Sequence, residues 1–246
     1  MTADIFDRTR LLVGEAAMSR LGATRVIVFG VGGVGSWCAE SLVRSGIGHL
    51  TLVDADMVNI TNVNRQLMAT TATVGKEKVE VMRERLLQIN PAAHITAIHQ
   101  LYNADSADQF LLDEYDYVVD AIDSLKDKAL LILRATASRA RLFSSMGAAL
   151  KMDPSHIRVA EFWKVEGDPL ARCLRRKFKS QGLFPERKFL CVYSDEQLQN
   201  QGEPPVEEGP ELYHKVQVNG TIVHITAIFG LTLASLVVRD VVGCLS

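Results

Sequence analysis

Val26-Ile-Val-Phe29-Gly30-Val-Gly32-Gly33-Val-Gly35-Ser36 is the stretch whose reading decides the fold. Its first four residues are apolar and mostly β-branched, the composition of a buried strand. Four glycines follow at once, and Trp37 to Val43 reads as the start of a helix with Ser36 as its cap. Strand, glycine turn and helix in that order bring backbone N–H groups close to a phosphate, while the helix N-terminus adds partial positive charge. The turn is therefore read as a nucleotide site, and it does not say which nucleotide.

Working outward, the pattern alternates. Residues 4 to 21 read as a helix carrying Arg8 and Arg10. Leu50 to Val53 reads as a second strand ending in Asp54, close to the usual distance from Gly30 for an acid that binds a ribose hydroxyl. Residues 57 to 75 are polar and irregular, and so long a connection in an α/β unit is more often functional than filler. Lys76 to Gln88 has the apolar spacing of an amphipathic helix and stops at Asn90-Pro91. Strands are expected at 94–99, 117–120 and 142–145, with helices at 107–112 and 128–140. This alternation implies an α/β fold with a doubly wound, mostly parallel, Rossmann-like sheet. Ligands of such sheets lie at the carboxyl ends of the strands, where the glycine turn, Asp54 and Asp123 should converge.

After residue 150 the pattern loosens into an irregular α+β extension. Strands are expected at 157–164 and 189–193, a basic helix at 170–179, a Pro/Glu/Gly loop at 199–210, an extended piece at 216–218 and a final apolar helix. We read residues 1–150 as the nucleotide-binding part and 151–246 as a C-terminal extension within the same globular unit.

The 246 residues carry a net charge of −2, so any binding of a polyanion must come from a local patch. No apolar signal-like run opens the chain, and a cytoplasmic location is expected, with peripheral membrane association as an alternative. Cys38, Cys173, Cys191 and Cys244 include no C-x-x-C pair, which argues against a structural zinc site. The apolar run from Thr221 to Cys244 is long enough for a bilayer, but it contains His224 and the Arg239–Asp240 pair. We read it as a buried helix at a subunit interface, not a transmembrane span.

Two chemistries compete for the turn. Gly30, Gly32 and Gly35 satisfy the dinucleotide pattern, which fits an NAD-dependent oxidoreductase. Asn62, Arg65, Gln66 and Lys78 have no work in such an enzyme. They suit nucleotidyl transfer, in which a carboxylate attacks the α-phosphorus of ATP and charge builds on phosphate oxygens. An aspartate near the phosphates would hold Mg²⁺.

At this point the residues resemble a known family. Gly30-Val-Gly-Gly-Val-Gly-Ser36, Asp54-x-Asp56-x-Val58, Asn62-Val-Asn-Arg65-Gln66, Gly75-x-x-Lys78 and Asp120-x-x-Asp123 look like the adenylating domain of ubiquitin-activating-enzyme-like proteins of the ThiF/MoeB type. The resemblance implies a nucleotide site built from Gly30, Gly32, Gly33, Gly35, Asp54, Asp56 and Gln66 with the residues that follow. Asp54 would bind the ATP ribose, Asn62, Arg65 and Lys78 would hold the phosphates, and Asp123 would position Mg²⁺. Arg10 matches an arginine that reaches the neighbouring subunit's site, which implies a homodimer.

The second half looks like the tRNA threonylcarbamoyladenosine dehydratase branch, on Ser145-Met-Gly-Ala148, Asp153-Pro154, Asp168-Pro-Leu170-Ala, Val192-Tyr-Ser194, Asn219-Gly-Thr221 and Phe229-Gly230. That branch implies ATP-dependent cyclisation of N6-threonylcarbamoyladenosine at tRNA position 37. A sulfur-carrier adenylyltransferase is the alternative. The dehydratase needs no ubiquitin-fold partner, and the motifs specify no sulfur-transfer or redox partner. Arg172, Arg175, Arg176, Lys177 and Lys179 would face tRNA phosphates, or form a solvated basic face. Cys191 stands where sulfur-carrier relatives keep a reactive cysteine; we read it as a buried strand residue.

Overall fold

The computed structural model describes residues 4–203 and 219–245. Its centre is a seven-stranded sheet. β1 (Arg25–Phe29), β2 (His49–Val53) and β3 (His94–Ile98) run outward on one side, and β4 (Tyr117–Asp120) and β5 (Arg141–Ser145) on the other. β6 (Ile157–Glu161) and β7 (Leu190–Ser194) complete the order β3-β2-β1-β4-β5-β7-β6. Every pairing is parallel except β6 with β7. The chain leaves β1 towards β2 and later returns to β4 on β1's other side. That reversal opens a crevice at the carboxyl ends of β1 and β4.

Both faces of the sheet are covered, which is why its central strands are continuous apolar runs. One core holds Val26, Val28, Leu50, Leu52 and Val119 against α3 (Gly35–Arg44), α4 (Lys78–Ile89) and α7 (Val223–Val242). The other holds Ile27, Phe29 and Val118 against α5 (Leu125–Ala137) and α6 (Pro169–Gln181). Residues after 150 are thus part of the sheet and both cores: β7 pairs with β5, and α7 packs along α3.

α7 is the apolar run at the C-terminus. It is long and apolar enough to cross a membrane by length, yet Ile225, Phe229, Leu233 and Val237 are fully buried in the core at helical spacing. Gly230 lets its backbone lie on the start of α3: a Cβ there would stand 2.3 Å from Val34 O and 2.9 Å from Cys38 N.

Several expectations change. The N-terminal helix breaks at Gly14 (φ 82) into α1 (Asp7–Val13) and α2 (Glu15–Ala23), and α1 buries no residue. Ser36 lies inside α3 instead of capping it. The helix expected at 107–112 is two single 3₁₀ turns, Ala107–Gln109 and Leu112–Glu114. The strand expected at 157–164 ends at Glu161 and gives way to a 3₁₀ turn, Phe162–Lys164. Residues 216–218 and most of the Pro/Glu/Gly loop lie outside the described residues.

The α3–α7 contact gives a prediction with an unusual sign. Glycine to alanine inside a helix ordinarily gains about 1 kcal/mol. Gly230→Ala should instead lower stability by about 1–3 kcal/mol, because the added methyl meets backbone. Urea unfolding measures this, and a stabilised variant would contradict the close approach.

Candidate active site

The glycine turn closes on itself and on the turn after β4. Gly30 has φ +87, and a Cβ on it would stand 2.6 Å from Ala121 O. A Cβ on Gly35 would stand 1.8 Å from Gly30 O, so no larger residue fits. Ser36 fastens the turn to the polar segment that follows β2: its Oγ donates to Gly32 O at 2.6 Å and accepts from Leu67 N at 3.2 Å. Trp37 Nε1 donates to Arg65 O at 3.1 Å, fixing the backbone that carries Arg65. Gly32 lies beside the Gln66 amide and Gly33 against Thr226 of α7.

Asp54 joins β2 to the turn. Its Oδ2 accepts from Val31 N at 2.6 Å and its Oδ1 from Asp56 N at 2.8 Å. Burial pushes this carboxyl up, and the charge of Lys78 opposes the rise. Lys78 is itself almost fully buried and reaches the exposed carboxylate of Asp56, Nζ to Oδ2, at 2.7 Å.

Asn62 is buried, and its Oδ1 accepts from Asn59 N at 3.0 Å in a capping box, so this amide shapes the loop. Arg65 Nη1 donates to Thr61 O and to Asn64 Oδ1, each at 2.9 Å. Desolvation lowers the Arg65 pKa and the charge of Asp123 works against that, so the two lie within electrostatic reach of each other. Gln66 is buried, and its Oε1 has no hydrogen-bond partner among the described residues.

Asp123 is exposed on the turn between β4 and α5. Asp120 is fully buried below it, held by Ser144, Lys128 and the backbone of Ile122. Lys128 is not among the residues that the sequence motifs single out. Its signal was a lysine on the face of α5 that otherwise presents Ala129, Leu131, Ile132 and Ala135.

Other candidate residues lie elsewhere. Arg10 stands beyond the opposite edge of the sheet from its own chain's glycine turn, beside His49 and His94 at the starts of β2 and β3, ion-paired with Asp4, Asp7 and Glu15. On α6, Arg172, Arg176 and Lys179 are exposed and Lys177 half-buried, while Arg175 donates to Phe162 O and Val165 O. Cys191 is fully buried in β7, and burial pushes its thiol far up, away from the reactive thiolate.

The arrangement fits a nucleoside triphosphate. It offers a cradle closed to a side chain at Gly30 and Gly35, two cations beside it, an acid under the turn and an unpartnered buried amide oxygen. Among the described residues no group of three or more His, Cys, Asp or Glu is placed to hold a metal. Magnesium bound with a nucleotide needs only one or two carboxylates besides phosphate, which Asp123 can supply.

Residues 6–245 match the ThiF family. The chain belongs to the ThiF family. Similar proteins include the tRNA threonylcarbamoyladenosine dehydratase of Escherichia coli (strain K12), 38% identical over 242 residues that cover 94% of this chain and 90% of that one. The Bacillus subtilis (strain 168) dehydratase is 41% identical over 191 residues, covering 78% and 74%. The crystal structure of the E. coli dehydratase, TcdA, in complex with ATP superposes with a TM-score of 0.85 at 37% identity, covering 97% of this chain and 93% of that one.

The charges around Asp54 give a titration test. Its folded pKa is raised, so the stability it contributes is present below its unfolded value and lost as pH rises through the folded value. Lys78→Met removes the opposing charge and should raise the midpoint further, read from the carboxyl carbon by NMR. An unchanged or lower midpoint would contradict the arrangement.

Proposed function

We propose that the chain is an ATP-dependent tRNA threonylcarbamoyladenosine dehydratase. It activates the threonyl carboxylate of N6-threonylcarbamoyladenosine at tRNA position 37 as an acyl-adenylate, and ring closure releases AMP. The observation that carries this reading is the glycine turn packed against the turn after β4 at the carboxyl ends of the central strands, with Arg65 and Lys78 beside it, in a chain similar over nearly its whole length to dehydratases.

The roles follow from chemistry. N–H groups of the turn and the N-terminus of α3 take the phosphates. Asp54 accepts from the ribose hydroxyls. Lys78 exchanges Asp56 for phosphate; the exposed Asp56 carboxylate returns to water, and the phosphate replaces it as the negative partner of the buried ammonium. Arg65 meets the charge that grows at the α-phosphate, Asn62 caps the loop that carries it, and the unpartnered Gln66 amide oxygen accepts from a donor group of the nucleotide. Magnesium, held by Asp123 with ATP, supplies further neutralisation of the phosphates and of the pyrophosphate that leaves.

Residues 1–150 form the adenylation part and 151–246 the part that meets tRNA and closes the core. Arg172, Arg176, Lys177 and Lys179 neutralise tRNA phosphates, while Arg175 chiefly braces the 162–165 turn. Two copies associate so that Arg10 of each completes the other's site. Support for this comes from α1, which buries no residue and leaves Leu11 and Leu12 88% and 85% exposed. The enzyme works in the cytoplasm.

Incubation with ATP, Mg²⁺ and tRNA bearing threonylcarbamoyladenosine, followed by nucleoside mass analysis, should show the loss of one water. Arg65→Ala and Asp123→Ala should each lower the rate by about 10²-fold or more, the scale for groups acting on developing charge. An unchanged nucleoside mass would contradict the activity.

A further inference from the structure

A second charged pair lies under the crevice, and no step above uses it. Lys128 of α5 and Asp120 at the end of β4 are fully buried, Nζ 2.8 Å from Oδ2. Lys128 Nζ also donates to Ile122 O at 2.9 Å. Asp120 Oδ1 accepts from Ile122 N at 3.1 Å, and Ser144 Oγ of β5 donates to Asp120 Oδ2 at 2.7 Å. Both backbone polar groups of Ile122, the residue before Asp123, are therefore held by charged side chains shielded from water.

Stability alone is a poor reason for this pair. Two charges lose their hydration on burial, and an apolar pair of the same volume is often as stable or more so. What the pair supplies is direction. Only Ala121, Ile122 and Asp123 separate the end of β4 from Ser124, the N-cap of α5. Ile122 is clamped from below, and Ser124 is tied to Asp127 by Oγ to Oδ2 at 2.7 Å. Asp123 is held between these two anchored residues and has little freedom of backbone orientation. The bond from Ser144 carries the same constraint to β5.

We propose that Lys128 is a positioning residue. Acting through the Ile122 carbonyl and Asp120, it sets the direction in which Asp123 meets the nucleotide. The inference rests on the adenylation reading for its consequence but not for its geometry, so the test has two readouts.

The first is amide hydrogen exchange on the wild-type chain. The Ile122 amide should exchange as slowly as those of Val118 and Val119 in β4. Exchange at the rate of exposed loop amides would overturn the clamp. The second uses Asp120→Asn/Lys128→Met, which removes both charges at nearly constant volume and frees the Ile122 carbonyl.

With folding verified by urea unfolding, this variant should keep its ATP KM within about 3-fold. Its kcat for tRNA-dependent ATP–pyrophosphate exchange should fall by about 10-fold or more, as expected when a reacting group loses its placement. Its half-saturating Mg²⁺ concentration should rise. A folded variant with wild-type kcat and Mg²⁺ dependence would overturn the role of Lys128. If the variant does not fold, amide exchange on the wild type decides. If the wild-type chain shows no pyrophosphate exchange, the adenylation reading fails, and amide exchange still decides the clamp.

Discussion

Backbone meets backbone where β1 ends, and the rest of the structure is arranged around that contact. Gly30 passes Ala121 at a distance that excludes a side chain, and Gly35 passes Gly30 closer still. Two turns that belong to different halves of the sheet are thereby pressed together. From the other side, α7 rests on the start of α3 through Gly230, and a Cβ on Gly33 would meet Thr226 at 3.2 Å. The nucleotide turn is thus wedged between the β4–α5 turn and the C-terminal helix. Residues of α7, far along the chain, shape the glycine turn as directly as those that spell it.

The charges follow a common logic. Lys78 rests on Asp56, Arg65 on Thr61 O and Asn64, and Arg10 on Asp4, Asp7 and Glu15. These partners are all exposed, although the Lys78 ammonium itself is buried. Each cation is kept oriented by a partner that water or phosphate can replace at the surface. The pair under the crevice is the reverse case, because Lys128 and Asp120 have no water to fall back on. Exposed partners above and a buried one below suit the proposed site, in which a polyanion would displace the first kind and leave the second in place.

Much of this was legible in sequence because it is local. The strand–glycine–helix order, the β4 boundaries and the alternation that makes the sheet parallel all arise from neighbours along the chain. The family motifs point to the same crevice. What was not legible depends on distant partners. No spacing shows that β7 inserts between β5 and β6. No motif shows that the Asn62 amide caps its own loop or that Arg175 turns inward onto the Phe162–Val165 turn. The break at Gly14 was missed because the residues on either side of it continue a helical composition. Lys128 is not legible either, because a single lysine in a helix reads as solvated until the helix is packed.

The central claim is that a carboxylate attacks the α-phosphorus of ATP in this crevice. The most direct measurement follows oxygen. tRNA carrying threonylcarbamoyladenosine labelled with ¹⁸O in its threonyl carboxylate would be turned over with ATP, and the phosphorus products analysed by mass. Attack at the α-phosphorus predicts one ¹⁸O in AMP and none in pyrophosphate. Label appearing in inorganic phosphate, with ADP as the other product, would place the attack at the γ-phosphorus and contradict the account.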